Sequence, residues 1–566
     1  MNTWQRFFPF LRWSGDLHRP GVLRADLIAG ITVALVLIPQ SMAYAQLAGL
    51  PPYFGLYAAF LPGIIAALWG SSKQLATGPV AVVSLLTASA LAPFAAIGSE
   101  QFVGLAIMLA LLVGIFQLCL GLFKLGVVVN FISHPVIIGF TNAAAIIIGL
   151  SQLNKILGVS KPRTESFIND IWMVLQNIGD THVLTLVMGI SAFAIMWTIK
   201  KYSPKIPGIL VGVALSTFVS WLIGFEAQGG MVVGTIPSGL PPIGFPEIDL
   251  SMARSLFASA VVISLVGFME AISVAKAMAV KTRDHVDPNK ELIGQGLANI
   301  VGSMSQSYPG SGSFSRSAIN LNAGAITGMS AVFTGLVVMI TLLFLTPLLY
   351  HLPQAVLAAV IMKAVLGLIN FKAIKHAWQA HIDDGLAAIV TFVATLVFAP
   401  HLDNGIMIGA GLALGLYLYR SMRPRIAILG RYAADNTLRD LAVHPNLPTD
   451  DRIVVIRFDG SLYFANVAYF EDAILDACAA RPDARYVLVV SDAINQLDAS
   501  GEAMLHQLVE RLKSNNVTLV FSGPKKQVLD VMRNTGLYST VGAQNIFATK
   551  DLALEAIYDW MAEGGA

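Results

Sequence analysis

The sequence predicts an α-helical membrane protein of fourteen transmembrane segments in a seven-plus-seven inverted repeat, followed by a small α/β domain. Three observations lead there. The 566 residues are 55% hydrophobic and only 12% charged, with a mean hydropathy of +0.69, whereas soluble domains carry roughly 25% charged residues. Charge is also unevenly spread: residues 431–566 hold 12 basic and 18 acidic side chains, and the first 430 hold 24 and 16. The third observation is a pair of interruptions, Gly78-Pro79-Val80-Ala81 and Pro309-Gly-Ser-Gly-Ser-Phe-Ser-Arg316-Ser, each set among apolar segments of membrane length.

A membrane-crossing helix needs about 20 apolar residues, fewer where it stops at midplane. By that measure the spans fall near 25–46, 53–69, 79–93, 102–122, 131–150, 183–199, 207–224, 256–280, 291–303, 314–323, 327–350, 353–369, 385–400 and 404–421. An even count puts both ends on one side. Arg12, Arg19 and Arg24 precede the first span, and Arg420, Arg423, Arg425 and Arg431 follow the last. Excess Lys and Arg marks a cytoplasmic face. The loops with Lys73, Lys124, Lys200-Lys201-Lys205, Lys281-Arg283 and Lys372-Lys375 fall on that same side. The opposite loops are neutral, mixed or slightly acidic, with Glu100, Glu226, Glu247 and Asp249.

Split into sevens, the third and tenth spans are the two interrupted ones. Irregular backbone at membrane depth is tolerated only where protein buries it or a cavity receives it. Matching interruptions in two halves of a chain point to a transporter's binding site. Residues 1–24 read as an interfacial segment on the cytoplasmic side, without a cleavable signal pattern. The transmembrane domain is expected over 25–424 and the soluble domain over 440–566. In the latter, "RIVVIRFDGSLYFANV" reads as strand–turn–strand, and later strands alternate with amphipathic helices.

Several function classes are disfavoured. No metal-ligand cluster, nucleophile–base pair or phosphate-cradling Gly-rich loop with lysine stands out, so no enzyme, cofactor or metal is expected. Cys119 and Cys478 fall in different domains, which argues against a disulfide framework. Nothing in the charge suggests nucleic acid.

The segments "IPQSMAYAQLAGLPPYFGLYAAFLP", "GSSKQLATGPVAVVSLL", "ISHPVIIGFTNAAAIIIGLSQL", "LVGFMEAISVAKAMA" and "GSGSFSRSAIN" resemble the sulfate permease (SulP) family of anion transporters. "RFDGSLYFANVAYFED" and "LDASGEAML" are similar to that family's C-terminal STAS domain. The resemblance covers nearly the whole chain. It implies a core bundle (spans 1–4 and 8–11) moving against a gate bundle (spans 5–7 and 12–14) in an elevator-like cycle. It also implies a homodimer in the inner (plasma) membrane, with both termini cytoplasmic and the STAS domain open to a cytosolic protein partner. Ala499 of Asp498-Ala499-Ser500-Gly501 stands where related STAS domains carry a phosphorylatable Ser, so that regulation is not expected here.

Site residues follow from chemistry and resemblance together. A helix N-terminus carries about half a positive charge and free N–H groups. Pro79 suits a first turn, leaving Val80 and Ala81 to offer amides. The second half-helix should begin near Phe314, with hydroxyls from Ser313, Ser315 and Ser317. Arg316 is the sharpest single residue, because a charge deep in a bilayer is functional or paired. Pro39 is expected to break the first span. Gln40 and Tyr44 then share one face, and by resemblance they line the site with Ser41 beside them. Resemblance also places Ser315 and Arg316 there. Glu270, mid-span in "LVGFMEAISVAKAMA", is the candidate coupling group for a proton, with Na+ as the rival ion. Lys363, Lys276, His134, Asn142 and Gln152 read as packing or interface residues. The expected activity is proton-coupled sulfate uptake. The alternatives are a bicarbonate or dicarboxylate transporter, an anion channel, or a membrane scaffold acting through STAS.

Overall fold

A computed structural model describes residues 8–127, 133–160, 167–203, 206–432 and 437–563. Residues 1–7 of the expected interfacial segment, residues 131–132 at the head of the fifth span, and Lys205 lie outside these ranges. The chain divides by contacts into two units, residues 1–413 and 414–566.

Every expected span contains a helix in the first unit or at its end. The first four are α1 (Val22–Leu47), α2 (Tyr53–Trp69), α3 (Ala81–Leu91) and α4 (Glu100–Leu122). Next come α5 (His134–Ser151), two short unforeseen helices α6 (Leu153–Leu157) and α7 (Phe167–Gln176), then α8 (Val183–Tyr202) and α9 (Gly208–Leu222). The second half holds α10 (Leu250–Thr282), α11 (Pro288–Met304), α12 (Phe314–Asn322), α13 (Met329–Ile340) and α14 (Gln354–Leu366). It ends with the unforeseen α15 (Phe371–Ala380), α16 (Ile382–Val397) and α17 (Leu402–Met422). Among the described residues, eight helices are long and apolar enough to cross a membrane, and α2, α3 and α9 are shorter apolar helices.

Two expectations about helix continuity fail. Pro39 does not break α1, which runs on to Leu47. A membrane helix tolerates proline because neighbouring groups satisfy the freed backbone. Two residues past the proline, the Ser41 hydroxyl donates to the Ile38 carbonyl of its own helix at 2.9 Å. The span 327–350 is not one α-helix either. After Ile340 it widens into a π turn at Thr341–Leu345 and tightens into a 3-10 turn at Thr346–Leu349, with Pro347 in that last turn.

Packing falls into two groups. Helix α11 packs on α4 and α2, α13 on α1 and α2, and α10 on α3 and α4. In the other group α16 packs on α5 and α15, and α14 on α8 and α5. Small residues permit close crossings. A Cβ on Gly114 would lie 2.7 Å from the Gly296 carbonyl, so α4 and α11 meet backbone to backbone there. Two buried carboxylates staple loops across the sequence. Glu291 accepts from Ser71 N–H (2.6 Å), Ser71 hydroxyl (2.8 Å) and Ser72 N–H (2.5 Å). Asp26 accepts from the Ile326 and Thr327 amides at 2.7 and 3.1 Å, and from the Thr327 hydroxyl at 2.5 Å. Each is satisfied as a buried charge requires.

The first unit holds two short strands, β1 (Thr77–Gly78) and β2 (Ser311–Gly312). The strands of the second unit are β3 (Ile426–Tyr432), β4 (Thr437–Asp440), β5 (Ile453–Phe458), β6 (Tyr486–Val490), β7 (Thr518–Ser522) and β8 (Ile546–Phe547), and they form one six-stranded sheet in the order β4-β3-β5-β6-β7-β8. β3 pairs antiparallel with β4 and β5, and β5 to β8 run parallel. The sheet therefore starts at Ile426, upstream of the expected 440. The strand foreseen after the turn at Asp459 is absent. Leu462 makes one isolated bridge to Leu497, and a helix takes over at Val467. Helices cover both faces: Val467–Ala479, Ala499–Ser514 and Lys526–Thr535 one side, Lys550–Glu563 the other. Parallel strands buried on both faces read as the near-continuous apolar runs seen here.

Candidate functional site

The two interruptions meet. Thr77–Gly78 (β1) pairs antiparallel with Ser311–Gly312 (β2), aligning Thr77 with Gly312 and Gly78 with Ser311. The ladder continues through Ser313 N–H to the Ala76 carbonyl at 2.9 Å. Helix α3 starts three residues after β1, and α12 two residues after β2. Because the strands run in opposite directions, the two helix N-termini face one another across a two-residue ribbon. Local sequence explains the pattern. Gly78-Pro79 cannot continue a helix, Pro79 donates no hydrogen bond, and Val80 takes an extended N-cap conformation that turns the chain into α3. At the other tip, Ser313 is the N-cap and accepts from the Arg316 amide at 3.5 Å.

Arg316 lies in the first turn of α12 and is fully buried. Its Nε, Nη1 and Nη2 atoms are all buried and without a hydrogen-bond partner among the described residues. The guanidinium leans toward the other tip. A Cβ on Gly78 would lie 3.6 Å from Nη2, in ordinary van der Waals contact, so the guanidinium reaches the other tip. Glu270, Tyr44 and Tyr308 stand within electrostatic reach of Arg316, yet no ion pair to Glu270 forms. An unpaired guanidinium at membrane depth costs about 3 kcal/mol on insertion scales. Together with two helix tips, it makes a positive region with no ion-paired partner among the described residues.

The other predicted residues distribute around this centre. Val80 and Ala81 are buried at the start of α3. Gln40 and Tyr44 are buried on α1, which packs on both α3 and α12. Gln40 Oε1 has no hydrogen-bond partner among the described residues. Glu270 is half-buried on α10, and its Oε2 likewise lacks one. Phe314 and Ser315 are exposed at the α12 tip. Two hydroxyls behave differently from expectation. Ser41 donates to its own helix, and Ser317 accepts from the Ala76 amide at 2.8 Å, tying β1 to α12. Ser317 is thus a brace between the tips, because its position one turn inside α12 points back at the ladder.

The packing residues also resolve. Lys363 donates to the Met196 carbonyl at 2.6 Å, far in sequence from either tip. Asn142 accepts from Asn370 N–H at 2.6 Å, Lys276 is exposed, and His134 opens α5. In the soluble unit Asp498 caps the helix at Ala499 through Gly501 N–H and also accepts from Phe464 N–H, both near 2.9 Å.

Sequence reasoning missed a second layer. Tyr308 is buried and shares a 3.2 Å hydrogen bond with Ser84 of α3. Gln295 and Asn299, one turn apart on α11, reach β1 and the residue before β2. Two amides inside the apolar run "IGQGLANIVG" were the available signal, since polar groups in a span need partners.

Residues 23–391 match the model of the Sulfate permease family, and residues 444–553 that of the STAS domain. The chain belongs to the sulfate permease family. "Sulfate transporter 4.1, chloroplastic" of Arabidopsis thaliana is 36% identical over 558 residues, 95% of this chain and 81% of that protein. Among solved structures, SLC26A9 shares the fold at a TM-score of 0.91 and 21% identity, across 100% of this chain and 96% of that one. The transmembrane domain of the cyanobacterial bicarbonate transporter BicA aligns at 0.60 and 24% identity, across 70% of this chain and 98% of that one. The protein is therefore a multi-pass membrane transporter with a STAS domain, in line with the resemblance drawn from its motifs.

Proposed function

We propose that this protein is a secondary active transporter of inorganic anions, with sulfate as its cargo and protons as the coupling ion. The observation that carries this reading is Arg316: fully buried, all three guanidinium nitrogens unpartnered, set between two facing helix N-termini. Such a centre offers N–H donors and positive potential without a permanent counter-charge. An oxyanion supplies the missing acceptors and leaves again, because no partner holds it covalently or through a metal. The kinship to a plant protein named as a sulfate transporter supports sulfate.

The same reading assigns Val80, Ala81, Phe314, Ser315 and Arg316 to the anion cradle, with Gln40, Ser41 and Tyr44 from α1 beside them. Glu270 takes the coupling role. Its carboxylate stands within electrostatic reach of Arg316 and Tyr44, so a proton gained there changes the charge that the anion meets. Transport proceeds by elevator-like alternating access in a homodimer of the inner membrane, with both termini and the STAS domain on the cytoplasmic side.

Uptake of labelled sulfate into proteoliposomes, with and without an inward proton gradient, tests the proposal. Saturable accumulation that rises with the gradient supports a coupled carrier. Flux that only follows voltage indicates a channel, and no flux of any anion indicates a scaffold. Stronger competition by bicarbonate than by unlabelled sulfate would reassign the cargo.

A further inference from the structure

The two helix tips do not hold themselves in place, since a two-residue ribbon is marginal alone. Beyond the Ser317 brace, one face of α11 holds both strands. The Gln295 Nε2 amide donates to the Thr77 hydroxyl of β1 at 2.7 Å. One turn on, Asn299 Oδ1 accepts from Gly310 N–H at 2.9 Å, while its Nδ2 donates to the Gly310 carbonyl at 3.3 Å. Asn299 thus reads both backbone groups of the residue that enters β2. The same Nδ2 donates to Gln117 Oε1 at 3.1 Å, and Gln117 Nε2 donates to the Ser264 carbonyl of α10 at 3.2 Å. All three amides are at most 3% exposed.

We propose that Gln295 and Asn299 are positioning residues that set the separation of the two helix tips, and through it the affinity for the anion. The inference rests on reading those tips as the anion site. Residues at i and i+4 lie on one helix face, so a rigid turn of α11 supplies a fixed spacer between β1 and β2. Neither side chain needs to touch the anion. Removing a bond between the spacer and one strand lets that tip drift, and amides aimed at an oxyanion lose geometry faster than they lose contact. A purely structural pair would instead affect yield and thermal midpoint and leave affinity alone.

The test uses the purified full-length protein and three variants: Gln295→Leu, Thr77→Val and the double substitution. Each single variant should raise KM for labelled sulfate about fivefold, the loss expected for one neutral hydrogen bond. Vmax should stay within about twofold. The double variant should be no worse than either single one, because both remove the same bond. Hydrogen exchange of the amides in 76–83 and 310–316, read without any anion, should quicken in all three and in Asn299→Ala. Unchanged exchange, an unchanged KM in a folded single variant, or effects that multiply in the double variant would each overturn the proposal. A wild-type protein that moves no anion sinks the transport reading and the affinity claim with it, while the exchange data still report on the spacer.

Discussion

Arg316 concentrates the chemistry of the membrane unit in one side chain. Its three nitrogens have no partner among the described residues, so in the proposed cradle it would act on the anion directly rather than through a salt bridge. Arg316→Ala should weaken sulfate binding about tenfold to hundredfold, the range for hydrogen bonds to a charged group, and leave the oligomer intact. Isothermal titration and size-exclusion chromatography read the two halves of that statement, and wild-type affinity in the variant would remove Arg316 from the cradle. Glu270 is tested through pH. If it carries the coupling proton, wild-type uptake rises as the outside is acidified and Glu270→Gln flattens that response, while sulfate–sulfate exchange persists because the anion's own ligands remain. A pH profile retained by the glutamine variant moves the coupling group elsewhere.

At the level of elements, close approach by glycine is what lets short and broken helices pack. Gly55 of α2 lies against the backbone carbonyl of Ser41 in α1, leaving no room for a Cβ. Gly55→Val should therefore push α1, with Gln40 and Tyr44, away from the tips at a cost of at least about 2 kcal/mol. A thermal midpoint equal to wild type would show that this crossing has slack. The elements also show what can be read from residues alone. Helix breakers flanked by apolar runs located β1, β2 and the starts of α3 and α12, because Gly-Pro and Gly-Ser-Gly leave few backbone options. Arg316 stood out because charge is rare at such depth. Pro39 misled, since proline in a span bends or is absorbed according to its neighbours, which a sequence does not display. The amides of α11 were passed over because their partners lie some 218 residues away in the chain for Gln295 and in a loop for Asn299. Strand β3 was missed because Ile426–Tyr432 lies between the last span and the expected domain start at 440, apart from the strand–helix alternation that follows.

On the scale of the molecule, two cores of different kind share one chain. The membrane unit is organised by small-residue crossings and satisfied polar groups, the STAS unit by an apolar sheet wrapped in helices. The second should respond to acid through surface carboxylates. The Ala442 amide and the Arg425 guanidinium hold Asp440 below the usual carboxylate range. Hydrogen bonds from Arg452 do the same for Asp450. A depressed folded pKa gives stability that is present above the ordinary value near 4 and lost as pH falls through the folded value. The urea midpoint of residues 424–566 should therefore fall between pH 7 and pH 3, and fall less in Asp440→Asn. Both pairs face solvent, so the effect is small and shrinks further with salt. Equal acid sensitivity in the two proteins would place the responsible groups elsewhere.

The ribbon joining Thr77–Gly78 to Ser311–Gly312 has one more implication. Two half-helices stitched through a common backbone ladder and held against α11 form a single mechanical part. In the transport cycle proposed above, that whole part is what moves relative to its surroundings to reach either side of the bilayer, and a bound ion would ride with it.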